Sequence, residues 1–278
     1  MEARTMRILT KRRIASFQRI VYDHYERDGR KSLPWRKTRD PYSILVSEVM
    51  LQQTQVPRVV GKYREFITNF PDFASLARAP LRSVLSVWSG LGYNRRAKHL
   101  HETARIVVRE YGGWLPRDFA RLITLPGIGK ATASAVSAFA FNEPLPFIET
   151  NIRAVFIHSF FDGEIGITDA EILPLVEQTL DRSRPRAWYN ALMDFGVTLK
   201  RLYGNPARRS AHHVKQGRFE GSDRQARGLI LRMLLARSMS EGELSKATGL
   251  DSSRLGPNLS RLAKEGLIAE RRGRYSVR

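Results

Sequence analysis

Glu48 stands in the run Ile44-Leu45-Val46-Ser47-Glu48-Val49-Met50-Leu51, among residues of the kind that face a core. A carboxylate embedded there is expected to be desolvated, with a raised pKa that suits general-acid work near neutral pH. The same position also suits a carboxylate that faces a groove or pairs with an arginine. A second carboxylate, Glu149, follows Leu145-Pro146-Phe147-Ile148 and precedes a helical pattern that starts near Asn151. At a helix N-terminus it is favoured by the macrodipole, which is a structural use. Two carboxylates at one site could instead protonate a leaving group and stabilise an oxocarbenium ion, as glycoside chemistry requires. Sequence position alone does not bring them together. Between two further helical patterns lies Leu125-Pro126-Gly127-Ile128-Gly129-Lys130. Glycines at that spacing let a short hairpin expose backbone N–H groups beside a helix N-terminus, a cradle for phosphate. Tight helix–helix turns also use glycine for steric reasons alone.

The whole-chain charge bears on which partner such a cradle meets. In 278 residues, 47 Lys and Arg face 27 Asp and Glu, a net charge of +20, while 42% hydrophobic content marks a folded chain. A polyanion is the expected partner: nucleic acid first, an anionic membrane surface second. Cysteine is absent, which excludes disulfides, cysteine nucleophiles and thiolate-held metal centres. His24, His101, His158, His212 and His213 show no metal-ligand spacing, so neither a metal nor another cofactor is expected. No apolar run approaches the ~20 residues of a membrane span. The basic stretch Met1 to Arg13 has no apolar signal core after it. The expectation is a cytoplasmic, prokaryotic, monomeric protein that meets DNA and no membrane.

Apolar residues recur at helical spacing over most of the chain. Ile14, Phe17, Ile20 and Val21 make one stripe, and Ile44 through Val60 reads as one long buried helix. Further patterns run over 81–88, 97–111, 131–141, 152–161, 172–180 and 188–202, separated by Gly90-Leu91-Gly92, Gly112-Gly113 and Pro126-Gly127. An all-α body over 1–202 follows. Residues 203–222, broken and basic, read as a linker or lid. From 223 to 278, three short helical patterns precede a basic hairpin, the order of a winged helix, with Ser252 to Glu265 where a recognition helix would lie. Arg271, Arg272 and Arg274 of that hairpin are the expected DNA contacts, although such modules also bind proteins. From Val197 onward, 18 Lys and Arg oppose 7 Asp and Glu, a net of +11.

The motifs Leu33-Pro34-Trp35-Arg36, Asp40-Pro41-Tyr42, Ser47-Glu48-Val49-Met50-Leu51-Gln52-Gln53-Thr54-Gln55-Val56, Trp88-Ser89-Gly90-Leu91-Gly92-Tyr93, 125–133 and Met193-Asp194-Phe195-Gly196 occur in one order. Together they resemble the helix-hairpin-helix base-excision DNA glycosylases, most closely the MutY type of adenine mismatch glycosylase, from about Arg13 to Leu199. The resemblance implies a two-lobed all-α body, with DNA across a cleft and the target base flipped out; the C-terminal winged helix read from the pattern is added to it. It implies that Glu48 protonates the departing adenine, that Gln53 enters the duplex beside the vacated position, and that Tyr93 is an aromatic wedge at the opposing base. Gly127, Gly129 and Lys130 fall on the phosphate-binding hairpin. Flipping costs a few kcal/mol and is easiest at a mismatch or lesion, so wedge residues have a physical task.

Three departures stand out. The family's catalytic aspartate, followed two residues later by asparagine, aligns with Glu149, one methylene longer, and with Asn151, which the resemblance implies contacts DNA. The cysteines of an iron–sulfur cluster are missing, and the basic stretch 200–218 takes their place. Where the family carries a Nudix-like domain, the small basic winged-helix pattern of 223–278 is expected instead. Where bifunctional relatives carry a Schiff-base lysine this chain has Ala131, and Lys130 falls one residue early. A monofunctional DNA N-glycosylase acting on a mispaired or damaged base in duplex DNA is therefore expected. Adenine opposite guanine or oxidised guanine is the first substrate, thymine or uracil opposite guanine the second. A non-catalytic DNA-binding or regulatory protein is the rival of a different class.

Overall fold

The computed structural model describes residues 7–215 and 217–278. Residues 1–6 of the basic N-terminal stretch and Gln216 of the expected linker lie outside the described residues. In chain order the helices are α1 (Lys11–Asp28), α2 (Pro41–Leu51), α3 (Val56–Asn69), α4 (Phe73–Arg78), α5 (Leu81–Trp88), α6 (Arg95–Tyr111), α7 (Phe119–Leu122), α8 (Lys130–Phe141), α9 (Thr150–Phe160), α10 (Asp169–Thr179) and α11 (Pro185–Tyr203). Then come α12 (Asp223–Ala236), β1 (Met239–Ser240), α13 (Glu241–Thr248), α14 (Ser252–Lys264), β2 (Ile268–Arg271) and β3 (Arg274–Val277). The chain forms two compact units, one of Met1–Ile44, Arg117–Ile123 and Ile128–Lys215, the other of Leu45–Pro116, Thr124–Gly127 and Gln216–Arg278.

In the first unit the apolar stripe of α1 buries Phe17 and Val21 against α9 and α11. The Phe17 ring meets Phe156 at 5.5 Å and Trp188 at 5.8 Å, edge to face, the favoured aromatic geometry. On α11 sits Asp194, 3% exposed, which accepts from Arg30 (backbone N at 2.8 Å, Nε at 2.6 Å) and from Arg36 (Nη1 at 2.5 Å, Nη2 at 2.9 Å). Burial alone would raise its pKa, but the paired guanidiniums outweigh that and hold it below the usual carboxylate range. The Asp194-Phe195-Gly196 motif therefore begins with an ionic anchor. After α11 the chain is pinned, not free: Arg209 donates to the carbonyls of Phe161 at 2.5 Å and Ile157 at 3.1 Å, at the C-terminal end of α9. The backbone N–H of Ala211 donates to Ile167 O at 2.9 Å.

In the second unit, α3, α5 and α6 bury Val59, Phe66, Leu85, Trp88, Leu100 and Ala104. Residues from α12 onward belong to this unit. The stripe Ala226, Ile230, Leu231 and Leu234 of α12 is buried, as are Leu255, Leu259 and Leu262 of α14. Arg82 of α5 donates to Leu234 O at 3.1 Å, at the end of α12. The three strands form an antiparallel sheet in the order β1-β3-β2, with Ile268 opposite Val277 and Met239 opposite Tyr275. Arg272 and Gly273, at φ 52° and 71°, make the two-residue hairpin turn that right-twisted strands favour.

One expectation from periodicity fails. The apolar pattern from Ile44 to Val60 is not one helix: α2 stops at Leu51, α3 starts at Val56, and Gln53 takes a left-handed φ of 53°. Pro57, in the first turn of α3, cannot continue a helix from upstream, and a side chain remote in sequence, Arg96, gathers the carbonyls freed at the break.

Candidate functional site

Arg96 projects from the first turn of α6, and its Nη1 donates to the carbonyls of Val49 (2.8 Å), Met50 (2.9 Å) and Gln52 (2.6 Å). These are carbonyls at the end of α2, which a helix leaves without internal partners. Nη2 adds Thr54 Oγ1 at 3.0 Å and Gly92 O at 3.2 Å. One guanidinium thus pins both loops that carry expected wedge residues, 52–55 with Gln53 and 89–94 with Tyr93. Burial pulls the Arg96 pKa down to about 10, so the group remains charged at neutral pH. Tyr93, like Gln53, holds a left-handed φ, here 48°. Backbone strain at two non-glycine residues persists only where the surroundings over-determine it. Nothing in the local sequence pattern marks Arg96; its partners at the end of α2 lie more than forty residues upstream, and only a tertiary contact reveals it.

Glu48 lies on α2 in the same unit, half-buried, between Ser47 (1% exposed) and Val49 (5% exposed). Glu149 belongs to the other unit. It is the N-cap of α9, accepting from the backbone N–H of Asn151 at 2.7 Å and of Ile152 at 3.0 Å through Oε1. The longer side chain therefore still caps. Oε2 accepts from Asn151 Nδ2 at 3.3 Å, and Asn151 Oδ1 accepts from Lys200 Nζ at 2.7 Å. Burial lowers the Lys200 pKa; facing charges are Glu149, which raises it, and Arg153, which lowers it further. Asn151, expected to contact DNA, is thereby committed to its two neighbours. α11 reaches α9 this closely because residue 196 is glycine: a Cβ there would lie 2.5 Å from Asn151 O. Lys200 opens the stretch that stands where relatives carry cluster cysteines. The chain has no thiolate to offer such a cluster, and in its place Lys200 and Arg209 tie α11 and its extension to α9.

The expected phosphate hairpin lies between α7 and α8. Gly127 has φ 75°, and a Cβ there would lie 2.8 Å from His99 Cβ, so both backbone conformation and space require glycine. Ile128, 4% exposed, anchors the turn, and Pro126 O accepts from Thr103 Oγ1 at 3.0 Å. Gly129 is the N-cap of α8 and provides no side-chain cap, which leaves the first N–H groups of that helix for an anion. Lys130 and Ala131, the first two residues of α8, are exposed. In the C-terminal hairpin Arg271 and Arg272 are exposed, whereas Arg274 donates to Ser238 O at 2.8 Å and pairs with Glu243 at 3.0 Å.

Tyr93 has a partner that the sequence did not suggest. Arg224 of α12 donates to Tyr93 Oη at 2.9 Å, so the C-terminal segment reaches the expected wedge residue directly.

Comparison with known proteins agrees with this arrangement. Residues 46–177 match the HhH-GPD superfamily of base excision DNA repair proteins. The chain is 38% identical to the adenine DNA glycosylase of Mycolicibacterium smegmatis over 234 residues, covering 77% of each chain. It is 38% identical to the adenine DNA glycosylase of Buchnera aphidicola over 194 residues, covering 68% of this chain and 54% of that one. The chain thus spans about half the length of some curated relatives it matches. Among solved structures, a thermostable thymine-DNA glycosylase superposes with a TM-score of 0.58 at 28% identity, covering 66% of this chain and 85% of the other. A helical body with these motifs and this similarity, and with lysine and arginine ties where a cluster would stand, belongs to the HhH-GPD superfamily of base excision DNA repair proteins.

Proposed function

We propose that the protein is a monofunctional DNA N-glycosylase that removes adenine mispaired with guanine or oxidised guanine in duplex DNA. The observation that carries this is Glu48: a half-buried carboxylate on an apolar helix, immediately before a loop whose Gln53 is held in a left-handed conformation. The similarity to adenine DNA glycosylases supports adenine as the base. In this reading Glu48 protonates the departing purine as the C1′–N bond breaks, and the bond pair leaves with the base. Glu149 stabilises the positive charge that develops on the sugar, and water adds at C1′ with its proton lost to solvent. The first N–H groups of α8 and Lys130 hold phosphate, a contact that positions the duplex without reading it. Arg271 and Arg272 of the C-terminal hairpin add phosphate contacts in the manner of a winged helix.

A labelled-duplex assay tests this. Incubation with single mismatches, followed by alkali, is expected to cleave the adenine strand of A·G and A·oxidised-G duplexes. Glu48→Gln is expected to bind the same duplexes while single-turnover excision falls by about two orders of magnitude or more. Full activity in that variant removes Glu48 from the mechanism. The similarity to a thymine-DNA glycosylase favours a second reading, excision of thymine or uracil opposite guanine, and cleavage of the T·G or U·G strand instead would establish it. Binding without cleavage on every duplex would mark a non-catalytic DNA-binding protein.

A further inference from the structure

Along one face of α6, Arg95, His99 and Thr103 follow one another at four-residue spacing, the interval that stacks side chains on a helix. The far end of this column supports the expected phosphate hairpin, where Thr103 Oγ1 donates to Pro126 O at 3.0 Å. His99, one turn earlier, packs against the next hairpin residue, Gly127. A Cβ at Gly127 would stand 2.8 Å from His99 Cβ and 2.9 Å from His99 Nδ1. The missing side chain is thus the opening through which an imidazole nitrogen reaches the turn. Neither the excision chemistry nor the phosphate contacts proposed above use this ring.

Arg95 decides which ring nitrogen carries the proton. Its Nε–H lies 3.2 Å from His99 Nε2, and a guanidinium only donates, so Nε2 accepts. The proton of the neutral ring is therefore on Nδ1, on the side of Gly127. Burial first, then Arg95, hold the His99 pKa below its ordinary value; Lys98 adds to this, while Glu102 and Glu265 oppose it. Both carboxylates are engaged elsewhere, Glu102 with Lys98 at 2.5 Å and Glu265 with Arg261 at 3.3 Å. Nδ1–H is left without an acceptor among the described residues, and so is the Gly127 N–H. Among those residues the sealed side-chain polar atoms that lack partners lie elsewhere, on His24, Arg96, Ser137 and Trp188, so Nδ1 of the half-buried His99 ring meets solvent.

We propose that His99 is a neutral contact to the DNA backbone: its Nδ1–H, fixed by Arg95, donates to a non-bridging oxygen of the phosphodiester seated at the Gly127 turn. The inference rests on the reading of the protein as one that binds duplex DNA, and it adds a side-chain donor to that hairpin. A phosphate oxygen supplies the acceptor that the ring and the Gly127 N–H both lack. A hydrogen bond to such a charged oxygen is roughly twice as strong as one between neutral partners. An imidazolium would instead turn a second N–H toward the Arg95 guanidinium. A neutral donor also behaves differently from a cation on DNA. It holds the backbone without displacing a counterion, so its share of the affinity does not depend on salt.

The test uses the full chain and its His99→Leu and His99→Asn variants. Leucine removes the donor, whereas asparagine places an amide N–H near the position of Nδ1. Dissociation constants are measured over a salt series on a duplex with a tetrahydrofuran abasic analogue, and on the same duplex with one phosphate at a time replaced by methylphosphonate. His99→Leu is expected to weaken binding about tenfold at every salt concentration, with an unchanged slope of log affinity against log salt. His99→Asn is expected to recover most of that loss. At one phosphate the methylphosphonate should cost the unmodified protein several-fold more than it costs His99→Leu, because the variant has no donor left to lose. Equal penalties in the two proteins at every position overturn the proposal. So does a slope reduced by about 0.9 in His99→Leu, which would make the ring a cation. A loss that asparagine fails to repair, with a lowered denaturant midpoint, would confine His99 to packing under the turn. Nitrogen NMR of labelled histidine in the unmodified protein needs no variant: at neutral pH the proton is expected on Nδ1, with a resonance that shifts when duplex is added, and a proton on Nε2 overturns the proposal. Binding to the analogue requires no chemistry, so absence of excision would overturn the glycosylase reading and leave this measurement decisive for His99.

Discussion

Glu149 keeps the helix-capping geometry of a shorter acid because Asn151 and Lys200 brace it from the far side. Lys200 Nζ holds Asn151 Oδ1 at 2.7 Å, which leaves Asn151 Nδ2 facing Glu149 Oε2. A hydrogen bond involving a charged group contributes about 1.5–3 kcal/mol, so Lys200→Met is expected to slow excision about ten- to a hundredfold with little change in DNA affinity. The pH dependence separates positioning from packing. Burial lowers the Lys200 pKa, so the ammonium is lost at a lower pH than an ordinary lysine would lose it. Excision should fall with the charge as pH rises. Lys200→Arg keeps a cation and should push that alkaline limb upward; an unmoved limb would confine Lys200 to packing. A second lysine invites a different experiment. Lys130 and Ala131 open α8, and successive residues there are turned by about 100°, so Lys130 does not take the place of a lysine at 131. Lys200 is committed to Asn151. Borohydride is thus expected to trap no covalent adduct, with strand breaks only after alkali or heat. Trapping abolished by Lys130→Ala or by Lys200→Met would instead identify a bifunctional enzyme and its amine.

The break between α2 and α3 is where element-scale structure and candidate function meet. Arg96 gathers three carbonyls from the end of α2 and binds the 89–94 loop as well, so the two strained residues Gln53 and Tyr93 depend on one side chain. Arg96→Ala would leave those carbonyls without their charged donor, and a loss of about 3 kcal/mol in folding stability is expected from a denaturant midpoint. Arg96→Lys should recover little of it, because three rotatable donors at one point do not span the fork. Recovery by lysine to the native midpoint would show that charge, not geometry, holds the loops. The same residue explains what the sequence could and could not reveal. Helices such as α5 and α13 were legible because their apolar period ends at Pro, Gly or a capping Ser, all local signals. The interruption at 52–55 has one local mark, Pro57 in the first turn of α3, which the apolar pattern running from Leu51 into Val56, Val59 and Val60 masks. What holds the freed carbonyls there is a guanidinium more than forty residues away. Glu48, Glu149 and the hairpin glycines were visible as residues with motifs around them. Arg96, Lys200 and Arg224 carry no motif of their own and emerge only from long-range contacts.

On the scale of the whole molecule, chemistry and charge are distributed differently. Residues from Val197 on carry +11 of the net +20, yet from Gly217 they belong to the same compact unit as Leu45–Pro116. A change of composition along the chain suggested a separate appended domain. It could not show that Arg82 would grip the end of α12, or that Arg224 would hold Tyr93. Deleting the segment would therefore do more than remove charge: it would strip the support from Tyr93. Substitution in the C-terminal hairpin is the cleaner probe, because Arg271 and Arg272 are exposed and Arg274 is occupied by Glu243. Each phosphate neutralised on duplex DNA adds about 0.9 to the slope of log affinity against log salt. If Arg271 and Arg272 each meet one phosphate, the double alanine variant should reduce the slope's magnitude by about 1.8. The affinity loss should be similar for matched and mismatched duplexes, since phosphate contacts carry no sequence information. The Arg274→Ala variant should instead leave the slope nearly unchanged and cost stability, through Glu243 and Ser238. An unchanged slope in the double variant would take the hairpin off the DNA and assign its exposed arginines to another partner.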